Sequence, residues 1–178
     1  MRFAYADPPY RGQCGKRYDH AHPDGPRPFD GRCWDDDWTH ELLVMWLYDE
    51  HFDGWAISCN PADIGIYHQW IGSDARIAPW CKTWHQIRST TVQYAWEAVL
   101  WRGGREDPKR SPMVRDWFIC PATSQRGLVG AKPARFNQWV LDLLAFRPDE
   151  DTLDDIFPGT GGMAATLDRA PFTFGEAS

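Results

Sequence analysis

The 178-residue chain predicts an α/β domain, a sheet covered by helices on both faces, and three observations carry that expectation. Short apolar runs end in turn residues at Asp7-Pro8-Pro9-Tyr10, Asn60-Pro61 and Pro158-Gly159. Between them lie segments whose apolar residues recur at helical spacing. The clearest, Lys132 to Leu144, sets Phe136, Trp139, Val140, Leu143 and Leu144 on one face. Strands that alternate with such helices build sheets with both faces covered.

In chain order, Arg2 to Ala6 reads as a strand that delivers Asp7 to its carboxyl end. Residues 11–37 are rich in Gly, Pro, Asp and His without periodicity, which predicts a long loop. Asp36 or Asp37 can cap the next helix, with Glu41 in its first turns. Its buried stripe is expected to be Trp38, Leu42, Met45 and Trp46. Trp55 to Cys59 is a strand closed by Asn60-Pro61, and a short helix runs through Ile64, Tyr67, His68 and Ile71. Further strands are expected at Arg76 to Trp80, Ala95 to Trp101 and Val114 to Cys120, with a basic polar loop over 102–112. Thr152 to Phe157 is a strand, Met163 to Arg169 a short helix, and Phe172-Thr173-Phe174 a last strand. No internal repeat divides residues 1–178, so one domain is expected.

Composition narrows the class. No apolar stretch approaches the roughly 20 residues of a membrane span and no signal peptide is evident, so a cytoplasmic protein without a membrane partner is expected. Five cysteines at irregular spacing fit reduced thiols. The 11 tryptophans are a large aromatic load, suited first to the core and second to a cleft for flat rings. The formal charge of −6 argues against strong general affinity for nucleic acid, yet its distribution is uneven. Asp19 to Asp53 holds ten acidic side chains against Arg27 and Arg32. Arg102 to Arg135 holds eight basic ones against Glu106, Asp107 and Asp116. A basic segment of this kind is either a phosphate-facing surface or a solvated loop. Cys14, His20, His22 and Cys33 share the long loop, but their spacing matches no common zinc pattern and no metal is expected.

Two turns carry chemistry. In Asp7-Pro8-Pro9-Tyr10 a carboxylate, a proline-stiffened turn and an aromatic ring follow a strand, an arrangement able to grip a flat amino-bearing ring. The Asp7 carboxylate can accept one N–H of an amine and the Pro8 carbonyl the other, favouring the tetrahedral geometry the nitrogen needs to attack. Pro9 helps to fix the turn and supplies no competing donor. Tyr10 offers a ring face for stacking. In Asp155-Ile156-Phe157-Pro158-Gly159-Thr160-Gly161-Gly162 the glycines follow a strand and precede a helix, where they let a ligand lie against the backbone.

Together these motifs resemble the catalytic and cofactor turns of the amino-methyltransferases that modify the exocyclic nitrogen of adenine or cytosine. The order, with the catalytic turn first, resembles their permuted class. The resemblance implies a Rossmann-like S-adenosylmethionine-dependent methyltransferase fold on a reduced sheet, with Asp7, Pro8, Pro9 and Tyr10 as catalytic residues. It implies a cofactor site at Asp155, Phe157, Pro158, Gly159, Thr160 and Gly161. Lys132, in a Lys-Pro pair before the amphipathic helix, would lie beside the cofactor's carboxylate end, and Glu176 would hold the ribose. DNA is the implied substrate, and the aspartate in the catalytic turn leans toward adenine N6. Family members are usually longer, with a separate target-recognition region, so a minimal enzyme, a dimer sharing its cleft, or a non-catalytic binding protein are all readings of this length. RNA or a free nucleotide is the alternative substrate.

Overall fold

The computed structural model describes residues 1–12, 37–83, 89–106, 113–122 and 131–169. Among these residues six strands form one sheet: β1 Arg2–Ala6, β2 Gly54–Cys59, β3 Arg76–Lys82, β4 Trp96–Gly103, β5 Phe118–Cys120 and β6 Thr152–Asp155. The described residues also hold four α-helices: α1 Asp37–Asp49, α2 Ile64–Ile71, α3 Ala134–Leu143 and α4 Gly162–Leu167. The strand order is β5-β3-β4-β2-β1-β6. β1 runs parallel to both β2 and β6, β5 runs parallel to β3, and β4 runs antiparallel between β2 and β3. The carboxyl ends of β6, β1, β2, β3 and β5 therefore share one edge of the sheet with the amino end of β4.

Side-chain alternation along the strands sorts the core into two layers. Ala4 and Ala6 of β1, with Trp55, Ile57 and Cys59 of β2, pack against Leu43, Val44 and Leu47 of α1 and Tyr67 and Ile71 of α2. Phe3 and Tyr5, with Ala56, Trp80 and Val99, pack against Phe136, Trp139 and Val140 of α3 and Met163 of α4. The helices on both faces match the expected architecture.

The inward stripe of α1 differs from the expectation. Thr39, His40, Leu43, Val44 and Leu47 are buried, while Trp38 and Met45 are 56% and 53% exposed. The helix carries two overlapping apolar stripes. The sheet selects the compact aliphatic one, and His40 Nδ1 is seated 2.7 Å from the Tyr67 hydroxyl on α2. Trp46 stays half-buried, edge-on to Phe52 at 5.6 Å between centroids. Elsewhere boundaries shift. Arg102 and Gly103 belong to β4 and not to a loop, Asp37 belongs to α1, and the strand expected from Val114 shrinks to Phe118–Cys120. Before β5, the Arg115 carbonyl accepts a hydrogen bond from Trp139 Nε1 at 2.9 Å. The ladder of β6 stops at Asp155, although the Ile156 N–H still donates to the Tyr5 carbonyl at 2.9 Å.

The basic segment divides. Because β4 is antiparallel, Arg102 and Arg105 sit at the opposite edge of the sheet from Asp7. Arg102 faces Asp74 at 3.6 Å, and Arg105 Nη2 donates to both oxygens of Asp151 at 2.7 and 2.9 Å. Asp151, whose side chain is fully buried, also accepts from the N-terminal ammonium and from the Arg147 N–H, both at 2.8 Å. Burial pushes its carboxyl up, but these donors outweigh it and hold it below the usual carboxylate range. Asp151→Ala leaves Arg105 only the more distant Glu150, at 3.6 Å, and is expected to cost about 3 kcal/mol in urea unfolding. The lowered pKa adds a sign. The stability Asp151 contributes is complete at neutral pH and is lost as pH falls through its folded-state pKa. In Asp151→Ala the acid limb of the stability curve should be shallower.

Cys14, His20, His22 and Cys33, with the rest of the long loop, lie outside the described residues. So do Lys109, Arg110, Arg126, the strand expected at Phe172 to Phe174, and Glu176. Among the described residues no group of His, Cys, Asp and Glu side chains is placed to hold a metal, and no helix is long and apolar enough to cross a membrane.

Candidate active site

The two turns singled out in the sequence emerge side by side. Tyr5 of β1 is in register with Asp155 of β6. Neighbouring strands lie about 4.8 Å apart, so the chain leaves the sheet at Asp7 and at Phe157 as close neighbours. Alternation sends Asp7 to the same face as Tyr5, the face covered by α3 and α4. Behind the turn the Tyr5 hydroxyl is 2.9 Å from Ser58 Oγ, a buried hydrogen bond joining β1 to β2. In front of it, Arg11 Nη1 donates to Asp63 at 3.0 Å and also pairs with Asp37, so the turn is tied to the end of β2 and the start of α1.

Around Asp7 the fold assembles a compact set of charges. Lys132 Nζ donates to Asp7 Oδ1 at 2.8 Å and Oδ2 at 2.7 Å. Lys132 also lies 3.4 Å from Glu97 Oε2, 3.5 Å from the Tyr10 hydroxyl, and 5.5 Å from the centroid of the Tyr10 ring. The Tyr10 hydroxyl donates to Glu97 Oε2 at 2.5 Å, and Lys82 Nζ pairs with Glu97 Oε1. Lys132, Lys82, Glu97 and Asp7 are 10%, 13%, 17% and 20% exposed in their side chains, so two cations and two anions meet with little water between them.

Burial and mutual attraction decide the protonation states. Burial alone would push Glu97 up, but the charges of Lys132 and Lys82 and the hydrogen bonds from Lys82 and Tyr10 pull it down to about 2. Burial raises Asp7 above its ordinary value, and Lys132 only partly opposes it. Lys132 is raised above its ordinary value, because Asp7 and Glu97 outweigh its desolvation. Burial, reinforced by the Glu97 and Asp7 charges, drives Tyr10 well above its ordinary value and keeps it a neutral donor.

The glycine turn is built differently. The Gly161 N–H closes it on the Pro158 carbonyl at 2.7 Å, and Gly161 caps α4. Gly159 and Gly161 have φ of 48° and 73°, in the left-handed region that favours glycine. A Cβ on Gly161 would meet no heavy atom within 4 Å, so open space faces that backbone. Asp155, the last residue of β6, has Oδ1 buried and without a hydrogen-bond partner. Burial, then the Asp7 charge, raise its pKa to about 6, and the Phe157 backbone hydrogen bond only partly opposes them. Phe157 is half-buried, and Pro158, Gly159 and Thr160 are exposed.

Of the residues expected from the sequence, Asp7, Pro8, Pro9 and Tyr10 and the Asp155 to Gly161 turn are brought to one edge of the sheet. Lys132 joins them on Asp7 and Glu97. Sequence reasoning missed Glu97 and Lys82. The available signal was a lone carboxylate inside the apolar run Trp96-Glu97-Ala98-Val99-Leu100. Glu97 pairs with Trp80, which makes Lys82 its diagonal neighbour on the same face of the sheet.

No protein-family model matches the chain, and no curated protein matches its sequence. Solved structures do share its architecture. M1.HpyAVI, crystallised as a complex with SAM, is 16% identical with a TM-score of 0.58, over 95% of this chain and 80% of that one. TTHA0409 of Thermus thermophilus, provisionally assigned as a DNA modification methylase and complexed with S-adenosyl-L-methionine, is 16% identical with a TM-score of 0.53, over 92% and 75% of the two chains. The chain thus shares the α/β fold of these two structures, the fold that the resemblance implied.

Proposed function

We propose that the protein transfers a methyl group from S-adenosylmethionine to the exocyclic amino group of a DNA base, with adenine N6 favoured over cytosine N4. The observation that carries this reading is the register of β1 and β6, which sets the Asp7 turn beside the glycine turn. A donor held on one turn and an amine held on the other would then meet. The neighbours of the same fold crystallised with this cofactor support the choice of donor.

The residues present fit the group. The open space over Gly161 leaves room for a ligand against the backbone, and the unpartnered Asp155 oxygen asks for a donor such as the ammonium of an amino acid. Pro158, Gly159, Thr160 and Gly161 would line the methionine portion, with Phe157 at its side. Bound S-adenosylmethionine supplies a methyl on a sulfonium, an electrophile whose departure leaves an electron pair on sulfur. Asp7 and the Pro8 carbonyl would accept the two N–H bonds of the amine and favour the tetrahedral nitrogen that attack requires. The same acceptors would stabilise the positive charge the nitrogen gains on methylation, and the Asp7 carboxylate would take the proton it then loses. Tyr10 packs against the base. A base in duplex DNA must be flipped out to reach this turn, because its amino group is engaged in pairing.

The test is transfer of labelled methyl from S-adenosylmethionine to unmethylated DNA, with RNA and free nucleotides in parallel and mass spectrometry of the product base. N6-methyladenine is the expected product. N4-methylcytosine would move the specificity, methylated RNA or nucleotide would move the substrate class, and cofactor binding without transfer would leave a binding protein.

Asp155 gives this reading a pH signature. Its carboxylate is charged above a pKa of about 6 and neutral below it. If it receives the cofactor's ammonium, affinity should be constant above that point and fall as pH drops through it, by at most about tenfold per pH unit. Asp155→Asn should bind more weakly at neutral pH and lose the pH dependence in calorimetric titrations. A wild-type affinity that stays flat through the acid range would remove Asp155 from the site.

A further inference from the structure

Lys132 poses a problem for the chemistry just described. Each oxygen of Asp7 has two lone-pair sites, so an amino N–H can be accepted beside Lys132 without displacing it. With hydrogen bonds of ordinary length on both sides, the ammonium then lies roughly 4–5 Å from the reacting nitrogen. That nitrogen becomes positive in the transition state, in a site with little water to screen the repulsion. Asp7 alone only cancels Lys132.

We propose that Glu97 is a positioning residue of this site. It shares the Lys132 ammonium with Asp7 and offsets the cluster's second cation, while fixing Tyr10 through its hydroxyl. The inference rests on the methyl-transfer reading above. Its geometry is independent of that reading. Glu97 Oε2 reaches both Lys132, at 3.4 Å, and the Tyr10 hydroxyl, at 2.5 Å, and Oε1 holds Lys82. Asp7, Glu97, Lys82 and Lys132 sum to zero charge. Removing the Glu97 charge leaves +1 beside a nitrogen that must become cationic. Removing Lys82 at the same time restores zero. The pull of both lysines keeps Glu97 ionised across the range in which the protein would work.

The experiment is single-turnover methyl transfer by the full chain, with saturating S-adenosylmethionine and the base class found active for the wild type. Cofactor affinity is measured alongside by calorimetry. Glu97→Gln keeps an acceptor for the Tyr10 hydroxyl and is expected to slow transfer about tenfold to a hundredfold, with cofactor affinity unchanged. Lys82→Met combined with Glu97→Gln should recover most of that loss, because it rebalances the charge. A purely structural Glu97 would give a double variant as slow as the single one or slower. That result, or a Glu97→Gln variant at the wild-type rate, overturns the inference while leaving the methyl-transfer reading intact. A wild-type chain that methylates nothing overturns both. If Glu97→Gln does not fold, Lys82→Met alone carries the opposite sign. It takes the site to −1 and should raise the rate, and an unchanged or lower rate overturns the proposal.

Discussion

Asp7→Ala is expected to lower single-turnover methyl transfer about a hundredfold to a thousandfold, the cost of roughly 3–4 kcal/mol for losing one preorganised partner of a developing charge. The loss should fall on turnover and leave cofactor affinity near the wild-type value, because Asp7 matters most as the nitrogen pyramidalises. The structure adds a second contribution to the same variant. Lys132 donates to both oxygens of Asp7, and truncation leaves that buried ammonium to Glu97 alone, with the site at +1. Asp7→Asn should be milder in one respect and similar in another: its amide oxygen still accepts one hydrogen bond, but the charge is gone. Transfer by Asp7→Ala at the wild-type rate would rule out the amine-activating mechanism for this protein while leaving its fold unaffected.

Gly161→Val is expected to abolish cofactor binding while leaving the Asp7 cluster assembled. Two effects follow. The valine side chain fills the open space that a ligand lying against this backbone would need. A β-branched residue must also adopt φ near 73°, where strain of about 1–3 kcal/mol attends any non-glycine side chain, and that strain falls on the stability of the free protein. Calorimetry with S-adenosylmethionine reads the first effect, and a melting curve of the free protein isolates the second. Gly161→Val that binds the cofactor normally would move the cofactor site away from this turn. Tyr10→Ala provides the contrast. It removes the ring and the hydrogen bond to Glu97, so it should weaken capture of the base and spare the cofactor.

Much of this site was legible because its motifs are local. A strand that ends in Asp7-Pro8-Pro9-Tyr10 and another that ends before Pro158-Gly159-Thr160-Gly161 announce themselves through turn chemistry and apolar runs of a few residues. The inward face of α3 was legible for the same reason, since Phe136, Trp139, Val140 and Leu143 repeat with the helical period and are buried as expected. Where two local solutions competed, the sequence had no means of choosing. The stripe of Trp38, Leu42, Met45 and Trp46 on α1 was as periodic as the one the sheet selected, and Leu43, Val44 and Leu47 pack on β2 only because of the strand order.

The sequence by itself thus determined the elements, the two turns and the kind of chemistry their residues can perform. The tertiary structure alone decided what surrounds them. Glu97 reaches Tyr10 across 87 positions of chain, and Lys132 reaches Asp7 across 125. Neither contact leaves a trace in any window of spacing. Both follow from the antiparallel placement of β4, which turns its amino end toward the carboxyl ends of its neighbours, and from α3 starting at that same edge. Periodicity and turn chemistry are short-range properties that a chain carries wherever it goes. Strand order and register are set by how all the apolar faces are buried together, and it is there that two carboxylates, a tyrosine and two lysines become one site.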